Sequence, residues 1–493
     1  MAPLLKPSFH IFHHHHTRWL VTGLLPLPQT LILLLPRLNH SVSSPIPTFR
    51  LHSTVSAAQT QHLDNAGTGS VSSLSSVQQP EYSYQQRIDV NPPKGTRDFP
   101  PEDMRLRNWL FNHFKEVSNL YGFEEVDFPI LESEALYIRK GGEEIRDQLY
   151  CFEDRGKRRV ALRPELTPSL ARLVIQKGKS VPLPLKWFAV QQCWRYERPT
   201  KGRRREHYQW NMDIIGVPDV TAEAELITSI ITFFKRVGIT ASDVGFKISS
   251  RKVLQEVLRR YSVPDHLFSR VCIIIDKLEK IPIDEMKKEL RSCELSEEIV
   301  EELLQILSVK SLAKLEEKLG TVGALDDLKR LFSHVENCGY SEWIQFDASI
   351  GFVREGRMRA ICGGGRYDQL LSTFGGDDIP ACGFGFGDAV IMDLLKEKGL
   401  LPELSLNVKN IVCSLDADLQ GEAGAIASIL REKGQSVDLV LENKPLKWVF
   451  KRADRVNAER LILVGRAEWQ KGMVAVKYLS SGIQNEVKVD ELE

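Results

Sequence analysis

The sequence predicts an α+β protein: an antiparallel sheet flanked by helices, broken by a helical insertion and followed by a small α/β domain. Three observations predict it. Residues 186–194 and 208–215 are strand-like apolar runs joined by a short basic loop, the pattern of a hairpin. Residues 253–332 are rich in Leu, Lys and Glu at helical spacing, with charges that alternate. After residue 404, strand-like runs at 410–413, 436–441, 460–464 and 473–478 alternate with helical stretches, a βαβ rhythm. At 493 residues the chain has room for two or three domains.

The first 63 residues hold no Asp or Glu, but carry Lys6, Arg18, Arg37 and Arg50 among many Ser and Thr. That acid-poor, Ser-rich, basic composition reads as an organelle transit peptide. Eight of the 12 histidines lie there, including His13, His14, His15 and His16, and read as low-complexity sequence. Residues 20–35 are apolar but broken by Pro26 and Pro28, too interrupted for a membrane span, so no membrane partner is expected. A secretory signal competes with this reading; the Ser/Thr/Gln-rich continuation to Gln86 favours a transit peptide and linker.

Order begins near Val90, and residues 92–98 form an extended or turn-rich entry. Leu106, Leu110, Phe114, Val117 and Leu120 recur at helical spacing over 102–121, and Gly122 stops that helix. Residues 123–130 read as a strand ending near Pro129. Residues 150–152 and 160–162 flank a charged turn, a second hairpin. A helix is expected over 168–177 and another, with a strongly apolar face, over 221–237. A Pro/Leu-rich joint at 399–404 precedes the last domain. There, Lys447, Lys451 and Arg455 recur every four residues as a basic stripe, which by spacing alone reads as a solvated face.

The richest chemistry lies in residues 194–216. Arg195 and Glu197 stand two apart, so on a strand they project from one face and can grip two parts of one ligand. The loop 198–205 holds five basic residues in eight. Set between two strands, it suits a polyanion, because arginine grips phosphate with a planar two-donor fork. A charge-rich solvated hairpin is the plainer alternative, and the Arg-x-Glu pair argues against it. Net charge is zero, so nucleic-acid binding must come from local patches. The eight cysteines form no C-x-x-C pair, so no metal site or disulfide framework is expected. Cys193 and Cys362 read as small core residues.

Residues 194–216 resemble motif 2 of the class II aminoacyl-tRNA synthetases, in the form found in histidyl-tRNA synthetases. Two further segments are similar to that family, in the right order. Arg163-Pro164-Glu165-Leu166-Thr167-Pro168 resembles its amino-acid-binding turn, and Cys362-Gly363-Gly364-Gly365-Arg366-Tyr367-Asp368 its glycine-rich turn beside the substrate. The helix and strand at 102–130 resemble motif 1, the dimer-forming element. The resemblance runs from residue 91 to the C-terminus. It implies a class II antiparallel sheet, with a catalytic domain over 86–250 and 336–400 and a helical insertion over 251–335. It implies an anticodon-binding α/β domain over 405–493, after a transit peptide and disordered linker over 1–85.

The same resemblance implies ATP and Mg2+, L-histidine and tRNA(His) as ligands, a homodimer, and a location in chloroplast and/or mitochondrion. Arg195, Glu197 and Arg203 become the catalytic and ATP-binding set. Arg195 would hold the α-phosphate, Glu197 would face the adenine and the tRNA end, and Arg203 would reach the outer phosphates. Glu165 and Thr167 match the positions that accept the ammonium group. Gln209 and Asp213, with Tyr367 as a third, match positions beside the imidazole. Lys447, Lys451 and Arg455 become a tRNA-binding stripe. From the residues alone, Glu165 reads as a helix N-terminal charge, and Gly363, Gly364 and Gly365 read as a tight turn.

Two departures from the family pattern stand out. The segment V-R-G-L-x-Y-Y-T-G, whose arginine bridges the substrate carboxylate and the α-phosphate in the family, is missing. Gln345-Phe346-Asp347-Ala348-Ser349-Ile350 runs straight into Gly351-Phe352-Val353-Arg354-Glu355-Gly356. A shortened hairpin, 348–353 against 358–362, is expected in its place. In motif 3, Val390 stands where most class II enzymes place a phosphate-binding arginine, which shifts that load to Arg203. The expected function is a histidine–tRNA ligase, impaired by an internal deletion after Ile350 that reads as a skipped coding segment. The alternative is a catalytically inactive synthetase-like protein that binds histidine or RNA as a regulator.

Overall fold

A computed structural model describes residues 17–23, 88–200, 202–275, 281–320, 322–347 and 360–492. In chain order, β1 (Thr17–Gly23) is followed by α1 (Pro101–Leu120), β2 (Glu124–Glu125), β3 (Leu131–Ser133) and α2 (Glu134–Gly141). The hairpin β4 (Tyr150–Glu153) and β5 (Arg159–Leu162) leads to α3 (Thr167–Lys177). A long hairpin, β6 (Leu185–Trp194) and β7 (Glu206–Ile215), then leads to α4 (Thr221–Arg236) and β8 (Val244–Ser250). Six helices follow: α5 (Arg251–Arg260), α6 (Asp265–Ile275), α7 (Ile283–Arg291), α8 (Glu297–Leu307), α9 (Leu312–Leu319) and α10 (Gly323–Asn337). The chain returns through β9 (Ile344–Phe346), β10 (Cys362–Arg366), α11 (Leu370–Thr373), β11 (Ala381–Gly387) and α12 (Asp388–Glu397). The last part runs β12 (Asn410–Ser414), α13 (Gln420–Glu432), β13 (Val437–Leu439), α14 (Leu446–Arg455), β14 (Arg460–Val464), α15 (Arg466–Trp469), β15 (Met473–Tyr478) and β16 (Gln484–Lys488).

The main sheet has eight strands in the order β2-β6-β7-β11-β10-β1-β8-β9. All its pairs are antiparallel except those of the two edge strands, β2 with β6 and β9 with β8. Its two faces differ because side chains alternate along a strand. One face carries Trp210, Phe384 and Phe386 into a large core with Phe114 of α1 and Phe233 of α4. There, Phe114 stacks on Trp210 with ring centroids 4.7 Å apart. The helices α5 to α10 share this core through Leu258, Leu290, Leu303, Leu315 and Leu328. The other face carries Trp187, Ala189, Cys193 and Ile215, and is covered at one end by Leu170 and Val174 of α3.

Residues 123–130 form far less strand than their sequence predicts. Only Glu124–Glu125 is a strand, with one further bond from Val126 N to Phe188 O at 2.9 Å. Beyond it, Arg163 Nη1 takes the Phe128 carbonyl at 2.6 Å, and Pro129 has no N–H to offer a ladder. The glycine run at 363–365 departs from expectation as well. It is not a tight turn but the middle of β10, paired on both edges. The expected hairpin over 348–362 falls mostly on residues outside those described. The expected leader lies outside them too, except β1, a strand where none was foreseen.

The C-terminal sheet has the order β13-β12-β14-β15-β16. Its first three strands are parallel, joined by α13 and α14, and its last three antiparallel. Parallel strands need such crossover helices, and the sequence rhythm shows them. Among the described residues, no helix is long and apolar enough to cross a membrane.

Candidate functional site

The face of the sheet away from the large core carries a polar floor. On β7, His207, Gln209, Asn211 and Asp213 alternate with the core residues Trp210, Met212 and Ile214, so the four share one face. Across the ladder, Gly383 pairs with Asp213, Gly385 with Asn211 and Gly387 with Gln209. A Cβ at Gly383 would lie 2.1 Å from Asp213 Oδ1 and 2.6 Å from the Tyr367 hydroxyl. One at Gly385 would lie 2.7 Å from Gln209 Nε2. A side chain at either position would therefore have to displace these polar groups, which lean over the strand.

The Tyr367 hydroxyl donates a hydrogen bond to Asp213 Oδ1. Burial pushes the Asp213 carboxyl up to about 7, against the opposing pull of that bond and of Lys140. Burial and the Asp213 charge both push the Tyr367 hydroxyl up, so it stays protonated. The Cys193 thiol donates to Gln209 Oε1 at 3.6 Å, and burial pushes it up to about 12. It is no nucleophile, in keeping with a small core residue. Asn211 is buried, and its Oδ1 has no hydrogen-bond partner among the described residues. A buried acceptor left open in a polar floor calls for a ligand or a water.

The turn that precedes α3 forms the rim. Arg163 is buried and staples it: Nε donates to Gln192 O at 2.7 Å and Nη1 to Phe128 O. Glu165 projects from this turn and pairs with Lys140 Nζ of α2 at 2.7 Å. Burial raises its pKa, but Lys140 and Arg195 outweigh this and hold it below the usual carboxylate range. An ammonium already sits against the carboxylate proposed to receive one. Thr167 opens α3 two residues further on.

Arg195 and Glu197 do not lie on a strand, because β6 ends at Trp194. The backbone turns sharply instead, with Glu197 N bonded to Arg195 O at 2.8 Å. Shared strand-face geometry therefore does not bring them together. Arg195 Nε donates to Pro164 O at 3.1 Å, which ties it to the Glu165 rim. Glu197 pairs with Arg203 Nε at 2.6 Å, and reciprocal bonds between Thr200 and Arg203 at 3.0 Å close the loop. The Arg205 guanidinium lies 4.1 Å from the Tyr196 ring centroid. Burial, then the charge of Arg195, pushes His207 down to about 4, so its ring is neutral at physiological pH.

Val390 is buried in the large core, so the motif 3 position carries no charge. Two residues before it, Asp388 accepts from Tyr208 N at 2.9 Å and from Arg97 Nη2 at 2.8 Å. Arg366 of β10 makes a two-bond fork with Glu223 of α4, Nε to Oε1 at 2.7 Å and Nη2 to Oε2 at 2.5 Å. Both are buried, and the pair locks the glycine-rich strand to α4. The structure thus brings Tyr367 onto Asp213 of the floor, ties Arg195 to the turn that carries Glu165 and leads into Thr167, and pairs Glu197 with Arg203.

Sequence reasoning missed Lys140, Arg97, His207 and Asn211. Asn211 and His207 had a signal, since they share the period-2 face of Gln209 and Asp213. Lys140 and Arg97 had none, because their partners lie far off in sequence. Among the described residues, no group of three or more His, Cys, Asp or Glu could hold a metal ion. In the C-terminal domain, Lys447, Lys451 and Arg455 are all exposed on α14, and Trp448 beside them is 39% exposed.

The histidyl-tRNA synthetase family matches residues 95–387, and an anticodon binding domain matches 406–493. A chloroplastic/mitochondrial histidine–tRNA ligase of Arabidopsis thaliana is 74% identical over 427 positions, covering 84% of this chain and 88% of that one. A histidine–tRNA ligase of Pyrococcus abyssi is 35% identical, covering 81% and 96%. The crystal structure of histidyl-tRNA synthetase from Nostoc sp. PCC 7120 superposes with a TM-score of 0.65 at 23% identity, covering 82% and 98%, which speaks to the fold. For the Arabidopsis relative, 84% of 493 residues is about 414, so about 13 of the 427 aligned positions face no residue here.

Proposed function

Because this chain belongs to the histidyl-tRNA synthetase family, we propose that the floor of β7 and the loop above it together activate L-histidine with ATP and charge tRNA(His). The chain is an aminoacyl-tRNA synthetase, a histidine–tRNA ligase of organellar type. The observation that carries the site assignment is buried Asp213 with half-buried Gln209 and Tyr367 on either side, all crowded over Gly383 and Gly385. A neutral imidazole offers one donor and one acceptor. Asp213, which ionises near neutrality, accepts from the ring N–H, and Tyr367 keeps its carboxylate oriented.

The histidine ammonium displaces Lys140 and takes its place against Glu165, with Thr167 adding an oxygen. The histidine carboxylate then attacks the α-phosphorus of ATP. A new P–O bond forms, the bond to the β-phosphate oxygen breaks, and pyrophosphate leaves. Arg195 offers its guanidinium to the charge that builds on the α-phosphate. The neutral His207 ring beside it gives the adenine a flat face to stack on. Arg203 swings from Glu197 to the outer phosphates, which frees Glu197 for the adenine and the tRNA end. Mg2+ bound with the nucleotide would neutralise part of the phosphate charge. In the second step a hydroxyl of the terminal tRNA ribose attacks the acyl carbon, and AMP leaves.

Lys447, Lys451 and Arg455, with Trp448 exposed among them, form the face of α14 that meets the anticodon end of the tRNA. A homodimer through α1 and its neighbours, a cleaved leader, and delivery to chloroplast, mitochondrion or both complete the reading. The alignment with the Arabidopsis relative leaves about 13 positions unmatched by this chain, room for the V-R-G-L-x-Y-Y-T-G segment, and absence of that segment after Ile350 lowers the rate of the first step. Charging of an organellar tRNA(His) transcript with labelled histidine tests the function. Histidine, and no other amino acid, is expected to appear on that tRNA. Charging with a different amino acid would refute the assignment.

A further inference from the structure

Between β8 and β10 the main sheet has a place for one strand, and the chain fills it from more than 200 residues away. β1 pairs with β8 over seven positions, from Thr17↔Ser250 to Gly23↔Val244. Its other edge pairs with β10 over four, from Arg18↔Gly365 to Val21↔Cys362. The strands nearest in sequence serve elsewhere: β9 takes the outer edge of β8, and β11 takes the far edge of β10. An interior slot left empty would strand a row of N–H and C=O groups, each expensive to bury unpaired. Within the region aligned with the Arabidopsis relative, about 13 positions face no residue of this chain, enough for one strand of about 5–6 residues and its turn.

The residues of β1 suit the place. Its sequence, TRWLVTG, is rich in strand formers and holds no proline and no acid. β10, CGGGR, offers three glycines in a row and so no side chains for cross-strand pairing. In register, Trp19 is the partner of Gly364.

We propose that the slot between β8 and β10 is a strand-acceptor site, and that its occupant is the chain's own N-terminal segment Thr17–Gly23. While the leader is attached, that segment completes the catalytic sheet and buttresses β10, the strand that leads into Tyr367. When the segment is absent, two inner edges are open, and the slot takes up an extended peptide by β-augmentation. The proposal stands on sheet pairing and is independent of the reading of the site as a ligase.

Cross-linking in the full-length chain tests the register. Val21→Cys puts a thiol at the register partner of Cys362, where antiparallel Cα atoms lie about 4.5–5.5 Å apart, within disulfide reach. Mild oxidation is expected to join the introduced thiol to Cys362, identified by peptide mass spectrometry. Leu20→Cys, one residue out and on the opposite face, is expected to give no such link. Hydrogen exchange tests the slot itself. Leu20→Pro removes a ladder donor and is expected to speed exchange at β8 and β10 amides by about ten-fold or more. A synthetic TRWLVTG peptide, added to that variant, is expected to restore slow exchange. Three results would overturn the proposal: linking by both cysteine variants or by neither, protection unmoved by Leu20→Pro, or lost protection that the peptide does not restore.

Discussion

Burial pushes the Asp213 carboxyl up to about 7, so it changes charge within the physiological range, and its effects are measurable in two ways. The folded state holds this proton longer than the unfolded chain, whose Asp titrates near 3.9. Stability therefore falls as pH rises from about 4 through about 7. Asp213→Asn lacks this penalty, so its melting temperature is expected to gain on the parent between pH 5 and pH 8. Histidine affinity goes the other way. The parent KM for histidine is expected to fall across the same range relative to Asp213→Asn, with which it shares the substrate's own titration. The absence of any difference between the two pH profiles would remove Asp213 from the imidazole pocket. Gly383→Ala tests the same pocket by space. Its methyl meets Asp213 and the Tyr367 hydroxyl, so KM for histidine is expected to rise at least ten-fold with KM for ATP nearly unchanged. At this scale the sequence showed part of the geometry: Gln209 and Asp213 share the period-2 face of β7, and Tyr367 reaches Asp213. Arg195 and Glu197 were misread in geometry, because a strand-face argument was applied past the end of β6. Lys140 stayed hidden because a lysine on a helix says nothing of the carboxylate it will find 25 residues later.

At the scale of elements, the strut between Arg366 and Glu223 holds the glycine-rich strand to α4. Arg366 also holds Asp368 at 3.3 Å and the carbonyls of Val217 and Asp219, so loss of the Glu223 charge removes only part of its compensation. Glu223→Gln is therefore expected to destabilise the protein by about 1.5–3 kcal/mol, read as a fall in denaturant midpoint. A change near zero would mean that those other acceptors suffice to hold Arg366. Local periodicity made most elements legible: α1, the β6–β7 hairpin, the insertion helices and the terminal βαβ rhythm all follow apolar spacing. Where long-range pairing decided the outcome, the sequence was silent. Residues 126–130 have strand propensity, yet the Arg163 staple takes the carbonyl of Phe128 away from the ladder. Gly363, Gly364 and Gly365 read as a turn but lie extended, because strands on both edges supply their hydrogen bonds. Nothing local in TRWLVTG announces that its partners lie beyond residue 240.

Across the whole molecule, the proposed reading divides catalysis and RNA recognition between separate parts of the chain. The proposed histidine and ATP site lies within residues 95–387, which match the histidyl-tRNA synthetase family, and the anticodon binding domain match, 406–493, carries the exposed basic face of α14. The triple substitution Lys447→Ala, Lys451→Ala, Arg455→Ala is expected to raise KM for tRNA at least ten-fold. It is also expected to flatten the salt dependence of tRNA binding, since fewer counterions are released. Pyrophosphate exchange, which needs no tRNA, is expected to be unaffected; a matching loss of exchange would mean that the substitutions damage the fold. The zero net charge fits such a division, because local patches do the work that a global field does elsewhere. Histidine-dependent exchange of labelled pyrophosphate into ATP tests ligase function most directly. It is made on the full chain and on the chain with V-R-G-L-x-Y-Y-T-G-I-V-F-E restored after Ile350. Histidine alone among the amino acids is expected to support exchange, and restoration to raise its rate by about 10²–10³-fold, the usual worth of one transition-state donor. Absence of histidine-dependent exchange from both chains would contradict a ligase built on this site.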